Sequence, residues 1–139
     1  MDDPFDLQRF VAAQAPVYER VCAELSAGRK RSHWMWFIFP QIHGLGSSAM
    51  AQRYAITSLA EATAYLDHTV LGPRLRACTG LVNAVDGRSA HEIFGSPDDM
   101  KFHSAMTLFL RAGSEDELFR TALEKYFAGK LDHATITRL

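Results

Sequence analysis

Apolar residues recur every three or four positions along most of this chain, which is the spacing of one face of an α-helix. Phe102, Met106 and Phe109 follow this spacing in one segment, and Leu123 and Phe127 follow it in the next. No two alternating apolar and polar runs are joined by a two-residue turn, so the pattern does not predict a β-hairpin. The sequence therefore predicts an all-α protein.

Helix starts and stops are marked throughout the chain. A capping acid or hydroxyl comes before a proline, or three residues before a glutamate, at five places. These starts are Asp3-Pro4, Ser58 to Glu61, Ser89 to Glu92, Ser96-Pro97 and Ser114 to Glu117. Gly28, Gly113 and Gly129 stand where a left-handed residue would end a helix, and a further short helix is expected within residues 47–56. We therefore expect a single compact multihelical domain over residues 1–139.

Composition narrows the class of protein. The chain has 139 residues, 47% of them hydrophobic, and a formal net charge of -1, so no global field attracts nucleic acid or an anionic membrane. The longest apolar stretch, residues 34–40, is too short to cross a bilayer, and the acidic N-terminus does not resemble a signal peptide. Cys22 and Cys78 fit two buried reduced thiols, with a disulfide or a catalytic thiol as alternatives. These features predict a cytoplasmic protein; they give no oligomeric state.

Residues 28–41 depart from the helical pattern, because three cations run directly into both tryptophans of the chain. The segment reads Gly28-Arg29-Lys30-Arg31-Ser32-His33-Trp34-Met35-Trp36-Phe37-Ile38-Phe39-Pro40-Gln41. Ser32 is placed to cap a short helix from His33, and Pro40 to end it. Lys30 then lies near the N-terminus of that helix, where free N–H groups favour an anion. A cation, an imidazole and an indole together could hold a phosphate with a ring stacked beside it.

A purely structural interpretation of the same segment competes with this one. Each aromatic ring buries a large area, so a short aromatic helix can serve as the central plug of a small α domain. The basic run before it would then be a solvated turn. Lys30, His33 and Gln41 favour a binding site, because a plug needs no polar rim.

The helix opened by Ser96 carries a second polar stripe. Asp98, Lys101, Ser104 or Thr107, and Arg111 follow a helical spacing of three to four residues, opposite the apolar face. This stripe is either a solvent-facing surface or the second wall of a cleft shared with the aromatic segment. Several other chemistries lack their signatures, among them zinc binding, Walker-type phosphate binding and the nucleophile elbow of hydrolases. We predict no metal site and no cofactor.

Four stretches of this sequence resemble one bacterial family. They are Ser32-His33-Trp34-Met35-Trp36-Phe37-Ile38-Phe39-Pro40-Gln41, then Gly44-Leu45-Gly46, then Ile93-Phe94-Gly95-Ser96-Pro97-Asp98-Asp99-Met100-Lys101, and Met106-Thr107-Leu108-Phe109. The family is a domain of unknown function that is sometimes labelled calpastatin-like. The resemblance covers almost the whole chain and implies an all-α fold and a cytoplasmic location. It implies no established activity and no cofactor.

Our hypothesis is a site for a small phosphorylated or nucleotide-like ligand. Its predicted lining comes from both segments: Lys30, His33, Trp34, Trp36, Gln41, Lys101 and Ser104. The two lysines would neutralise the anion and an indole would stack on a ring. His33 and Asp98 are the candidate acid–base pair if turnover follows binding, and the sequence does not decide whether the protein is an enzyme. The alternative is a non-enzymatic interaction module that docks a partner through exposed aromatic side chains.

Overall fold

The computed structural model describes residues 2–113 and 117–139 of the chain. These residues form ten helices, α1 to α10. Their bounds are Gln8–Gln14 (α1), Tyr18–Ser26 (α2), Met35–Ile38 (α3), Ala49–Arg53 (α4), Leu59–Asp67 (α5), Leu71–Asn83 (α6), Ala90–Phe94 (α7), Asp98–Gly113 (α8), Glu117–Phe127 (α9) and His133–Ile136 (α10). The described ranges contain no β-strand beyond an isolated bridge between Ile42 and Ile56. The predicted all-α fold is confirmed.

Helix α8 is the central element. It packs against α5, α7, α9 and α10, while α6 packs against α2, α5 and α9. Phe102, Met106 and Phe109, which the helical spacing placed on one face, are completely buried. Phe102 lies 4.7 Å from the Phe94 ring and 5.0 Å from the Phe39 ring, measured between centroids. This contact joins the aromatic segment to the centre of the core.

The capping predictions hold at two serines. The Ser58 hydroxyl accepts the Glu61 N–H, and Ser89 and Glu92 form the complete reciprocal box. Asp3 also caps a helix, although α1 begins only at Gln8: its carboxylate accepts the N–H groups of Leu7 and Gln8. Pro4 therefore precedes α1 instead of opening it, which corrects the prediction for that start. The predicted start at Ser114 to Glu117 lies partly outside the described residues.

The other helix boundaries agree only in part with those predicted from the sequence. Helix α8 begins at Asp98, after Pro97, and the Pro97 carbonyl accepts the Lys101 N–H. Gly28 and Gly129 have positive φ angles as predicted, whereas Gly113 is the last residue of α8. The helix expected within residues 47–56 covers only Ala49–Arg53. Within the described part of the chain, no helix is both long and apolar enough to cross a membrane.

Candidate functional site

The basic and aromatic segment is folded around a buried carboxylate that the sequence analysis did not single out. Glu24, which is 8% exposed, accepts hydrogen bonds from Arg31 N, Ser32 N, Ser32 Oγ and Trp34 Nε1, at distances of 2.8, 3.1, 2.6 and 2.9 Å. Burial alone would raise the pKa of Glu24, but these donors outweigh it and lower the pKa from 4.5 to about 2. The signal in the sequence was an acid between Val21 and Leu25 on the apolar face of α2.

This arrangement corrects the local prediction for the segment. Ser32 does not cap a helix that starts at His33, because its hydroxyl is bonded to Glu24. The helix is shorter, Met35–Ile38, and Trp34 is its N-cap residue without a side-chain cap. Pro40 follows the helix as predicted. Trp34 is only 1% exposed, as the interpretation of this segment as a core plug expects.

Asp98 joins the two segments that were predicted to share a cleft. The Lys30 ammonium lies 2.8 Å from one Asp98 oxygen, and the Lys101 ammonium lies 3.5 Å from the other. Each lysine also lies over an indole, Lys30 over Trp34 and Lys101 over Trp36, with 5.2 Å from Nζ to the ring centroid in both cases. The side chain of Lys30 is 8% exposed and that of Lys101 is 23% exposed. Two ammonium groups therefore share one carboxylate, which leaves one positive charge in excess.

Lys101 forms part of the wall of two adjoining cavities. The first cavity, of about 390 Å³, is lined by Trp36, Gln41, His43 and Lys101, with Gly44 and Tyr54 among the other residues. The second, of about 480 Å³, is also lined by Gln41 and Lys101. Its remaining lining includes the apolar residues Leu45, Pro97 and Met100 and the polar residues His103, Ser104 and Asp132.

The outer wall of both cavities is the chain between Ile42 and Ile56. Two backbone hydrogen bonds close it at its base, from His43 N to Ile56 O and from Ile56 N to Gln41 O, both 2.8 Å. Inside it, the Ser48 hydroxyl caps α4 by accepting the Ala51 N–H. Gly44 has a φ of +90°, and the guanidinium of Arg138 lies against it. An exposed side chain close to the C-terminus therefore packs on this wall.

The predicted site residues separate into two groups. Trp36, Gln41, Lys101 and Ser104 line the two cavities. Lys30 lies behind them, connected to Lys101 through Asp98, whereas Trp34 belongs to the core. His33 is exposed and lines neither cavity. Sequence analysis did not assign His43 or Asp132 to the site, because His43 lies in a loop without helical spacing and Asp132 is distant in sequence from the two predicted walls.

The candidate acid–base pair is not assembled as a pair. The carboxylate of Asp98 is occupied by two ammonium groups, and no contact joins it to His33 within residues 2–113 and 117–139. The same residues contain no cluster of three or more histidine, cysteine or acidic side chains that could hold a metal ion. The first cavity offers a cation, an indole, a side-chain amide and an imidazole, a set suited to holding an anion. The second cavity adds the imidazole of His103 and the carboxylate of Asp132.

Comparison with known proteins supports a family assignment. The conserved hypothetical protein Rv1873 from Mycobacterium tuberculosis, known from a crystal structure, is similar to this chain with 62% sequence identity and a TM-score of 0.97. The match covers 99% of this chain and 98% of that one. No curated protein matches the chain. A family model described as a protein of unknown function, DUF1810, matches residues 4–139, and the chain therefore belongs to that family.

Proposed function

We propose that this protein binds a small phosphorylated or nucleotide-like ligand in the cavity lined by Trp36, Gln41, His43 and Lys101. The observation that carries the proposal is the shared carboxylate of Asp98. Lys30 lies closer to Asp98 than Lys101 does, at 2.8 Å against 3.5 Å. Lys101 is also the more exposed of the two lysines, and it reaches the cavities. Its charge is thus only partly compensated, which favours an anionic ligand at this wall.

The other side chains of the cavity fit the same ligand. Trp36 is half-buried and lines the cavity, so its indole can contact a ring of the ligand. The side-chain amide of Gln41 has no hydrogen-bond partner in the described part of the chain, so it is available to a ligand. A volume of about 390 Å³ lies within the usual range for small-molecule sites.

The interaction-module alternative has weaker support. It required exposed aromatic side chains, but Trp34 is buried in the core and Trp36 faces the cavity. Turnover of the ligand is not part of the proposal, because His33 and Asp98 are not in contact. We place the protein in the cytoplasm, where the free thiols of Cys22 and Cys78 would remain reduced.

A thermal-shift screen tests the proposal. Nucleoside monophosphates and sugar phosphates are each compared with their uncharged parents, and we expect only the phosphorylated compounds to raise the melting temperature. Lys101→Gln should abolish the shift without unfolding the protein. The matched control is Arg20→Gln, an exposed charge on α2, which should leave the shift unchanged. Absence of a shift with every phosphorylated compound, or an unchanged shift in Lys101→Gln, would reject the proposal.

A further inference from the structure

Asp132 lines the second cavity and stands at the N-terminus of α10. An aspartate at this position normally accepts a backbone N–H of its own helix. Asp132 makes no such bond. One carboxylate oxygen instead accepts the hydroxyls of Ser104, at 2.7 Å, and Thr135. The carboxylate is therefore directed by the protein to a place that helix capping does not explain.

The surroundings of Asp132 hold it rigidly. Its backbone N–H donates to Thr107 Oγ1 at 2.9 Å. Ser104 is 5% exposed, and Thr107 and Thr135 are completely buried. Three buried hydroxyls thus fix the position of one acidic residue, which is the kind of support that binding residues need.

The second carboxylate oxygen, Oδ1, is not used by the protein. Asp132 forms no salt bridge with residues 2–113 or 117–139, and Oδ1 accepts no hydrogen bond from them. An ionised carboxylate only accepts hydrogen bonds. A group that pairs with this oxygen from the cavity must therefore be an N–H or O–H donor.

We infer that the ligand carries, besides the anionic group near Lys101, an amino group that donates a hydrogen bond to Asp132. The inference rests on the proposed function, because it uses the same ligand in the adjoining cavity. Leu45, Pro97 and Met100 provide apolar walls around Asp132, and these suit a flat ring better than a bare sugar. The ligand class is an amino-substituted nucleotide, and an amino-substituted base would lie in the second cavity.

Calorimetric titration with three probes separates the two claims. Adenosine monophosphate has an amino group on its base, purine riboside monophosphate has a C–H in its place and no other N–H on the base, and ribose 5-phosphate has no base. The wild-type protein should prefer adenosine monophosphate to purine riboside monophosphate by about tenfold or more, since only the amino group can donate to the carboxylate.

Asp132→Asn is the decisive variant. Its remaining oxygen can still accept from Ser104 and Thr135, but it presents an amide N–H₂ to the cavity in place of an oxygen. We expect it to lose or reverse the preference while binding ribose 5-phosphate as the wild type does, which also shows that it is folded. Asp67→Asn, an exposed acid at the end of α5, should behave as the wild type.

The outcomes distinguish the inference from the proposed function. If wild type and Asp132→Asn bind both nucleotides equally while Lys101→Gln weakens all three probes, the inference is wrong and the proposed function stands. If Lys101→Gln binds every probe as tightly as the wild type, or if none of the probes binds the wild type, the proposed function fails. Loss of ribose 5-phosphate binding in Asp132→Asn would also overturn the inference, because the effect would then not be specific to the amino group.

Discussion

Replacing Glu24 by glutamine is the sharpest test of how the aromatic segment is held. The side chain keeps its shape but loses its charge, and one of its two oxygens becomes an N–H₂ group. All four partners of Glu24 donate to it in the native structure. The new N–H₂ group must therefore face at least one donor, unless the Ser32 hydroxyl turns round to accept. We expect the variant to fold with a lower free energy of unfolding.

The magnitude follows from the pKa of Glu24. The hydrogen bonds lower it from 4.5 to about 2, and one pKa unit corresponds to about 1.4 kcal/mol. The charged form is therefore favoured in the folded state by about 3 kcal/mol. Because the folded pKa is the lower one, this contribution is present above the unfolded pKa and is lost as the pH falls through the folded value.

Urea titrations of wild type and Glu24→Gln over a range of pH measure the contribution of the Glu24 charge to the free energy of unfolding. We expect the variant to be less stable by about 3 kcal/mol at neutral pH, with an unchanged denaturant slope. The difference should narrow as the pH falls from 4.5 towards about 2. Glu19→Gln, an exposed acid on the same helix, should change the stability by less than about 0.5 kcal/mol. A loss below about 1 kcal/mol in Glu24→Gln, or a difference independent of pH, would refute the reasoning.

Three further predictions concern the core, the cavity wall and the thiols. Trp34→Ala should cost about 3–5 kcal/mol in a denaturant titration, because it empties a buried site; a cost below about 1 kcal/mol would mean that Trp34 is not part of the core. Gly44→Ala should cost about 1–2 kcal/mol, since the residue has a φ of +90°, which L side chains rarely adopt. The exposed Arg138 side chain can move aside, so adding Arg138→Ala should recover less than about 0.5 kcal/mol, and full recovery in the double-mutant cycle would contradict backbone strain as the cause. Burial raises the pKa of Cys78 to about 12, so iodoacetamide should label the half-buried Cys22 first and Cys78 only after unfolding. Peptide mass spectrometry showing equal rates would argue against this.

The fold could be predicted in outline because its determinants are local. Ser58 and Ser89 begin helices through their own side chains, and the spacing of Phe102, Met106 and Phe109 marks the buried face of α8. The helix predicted within residues 47–56 ends earlier than expected, at Arg53, because the backbone of Ile56 forms its hydrogen bonds with Gln41 and His43. A partner distant in sequence leaves no signal in the periodicity of one segment.

The site could be predicted only in part, for a related reason. Lys30 was singled out as a cation before the aromatic residues and Lys101 as part of the polar stripe of α8, and Asp98 does connect them. The sequence could not distinguish the buried Trp34 from the cavity-lining Trp36, since the two tryptophans lie two positions apart in one aromatic run and either could face the core. That difference depends on Glu24, which accepts the indole N–H of Trp34 and thereby fixes which tryptophan enters the core.

The closure of the outer wall at Ile42 and Ile56 has a consequence for how this family can vary. Both closing hydrogen bonds are made by backbone atoms, and none of residues 43–53 is buried. Substitutions at the exposed positions of residues 43–53, Gly44 excepted, would therefore change the shape of the cavities without removing a buried side chain, whereas Tyr54 belongs to the core. The chain thus separates a buried core from an exposed segment that shapes the cavities, and the two can change independently of each other.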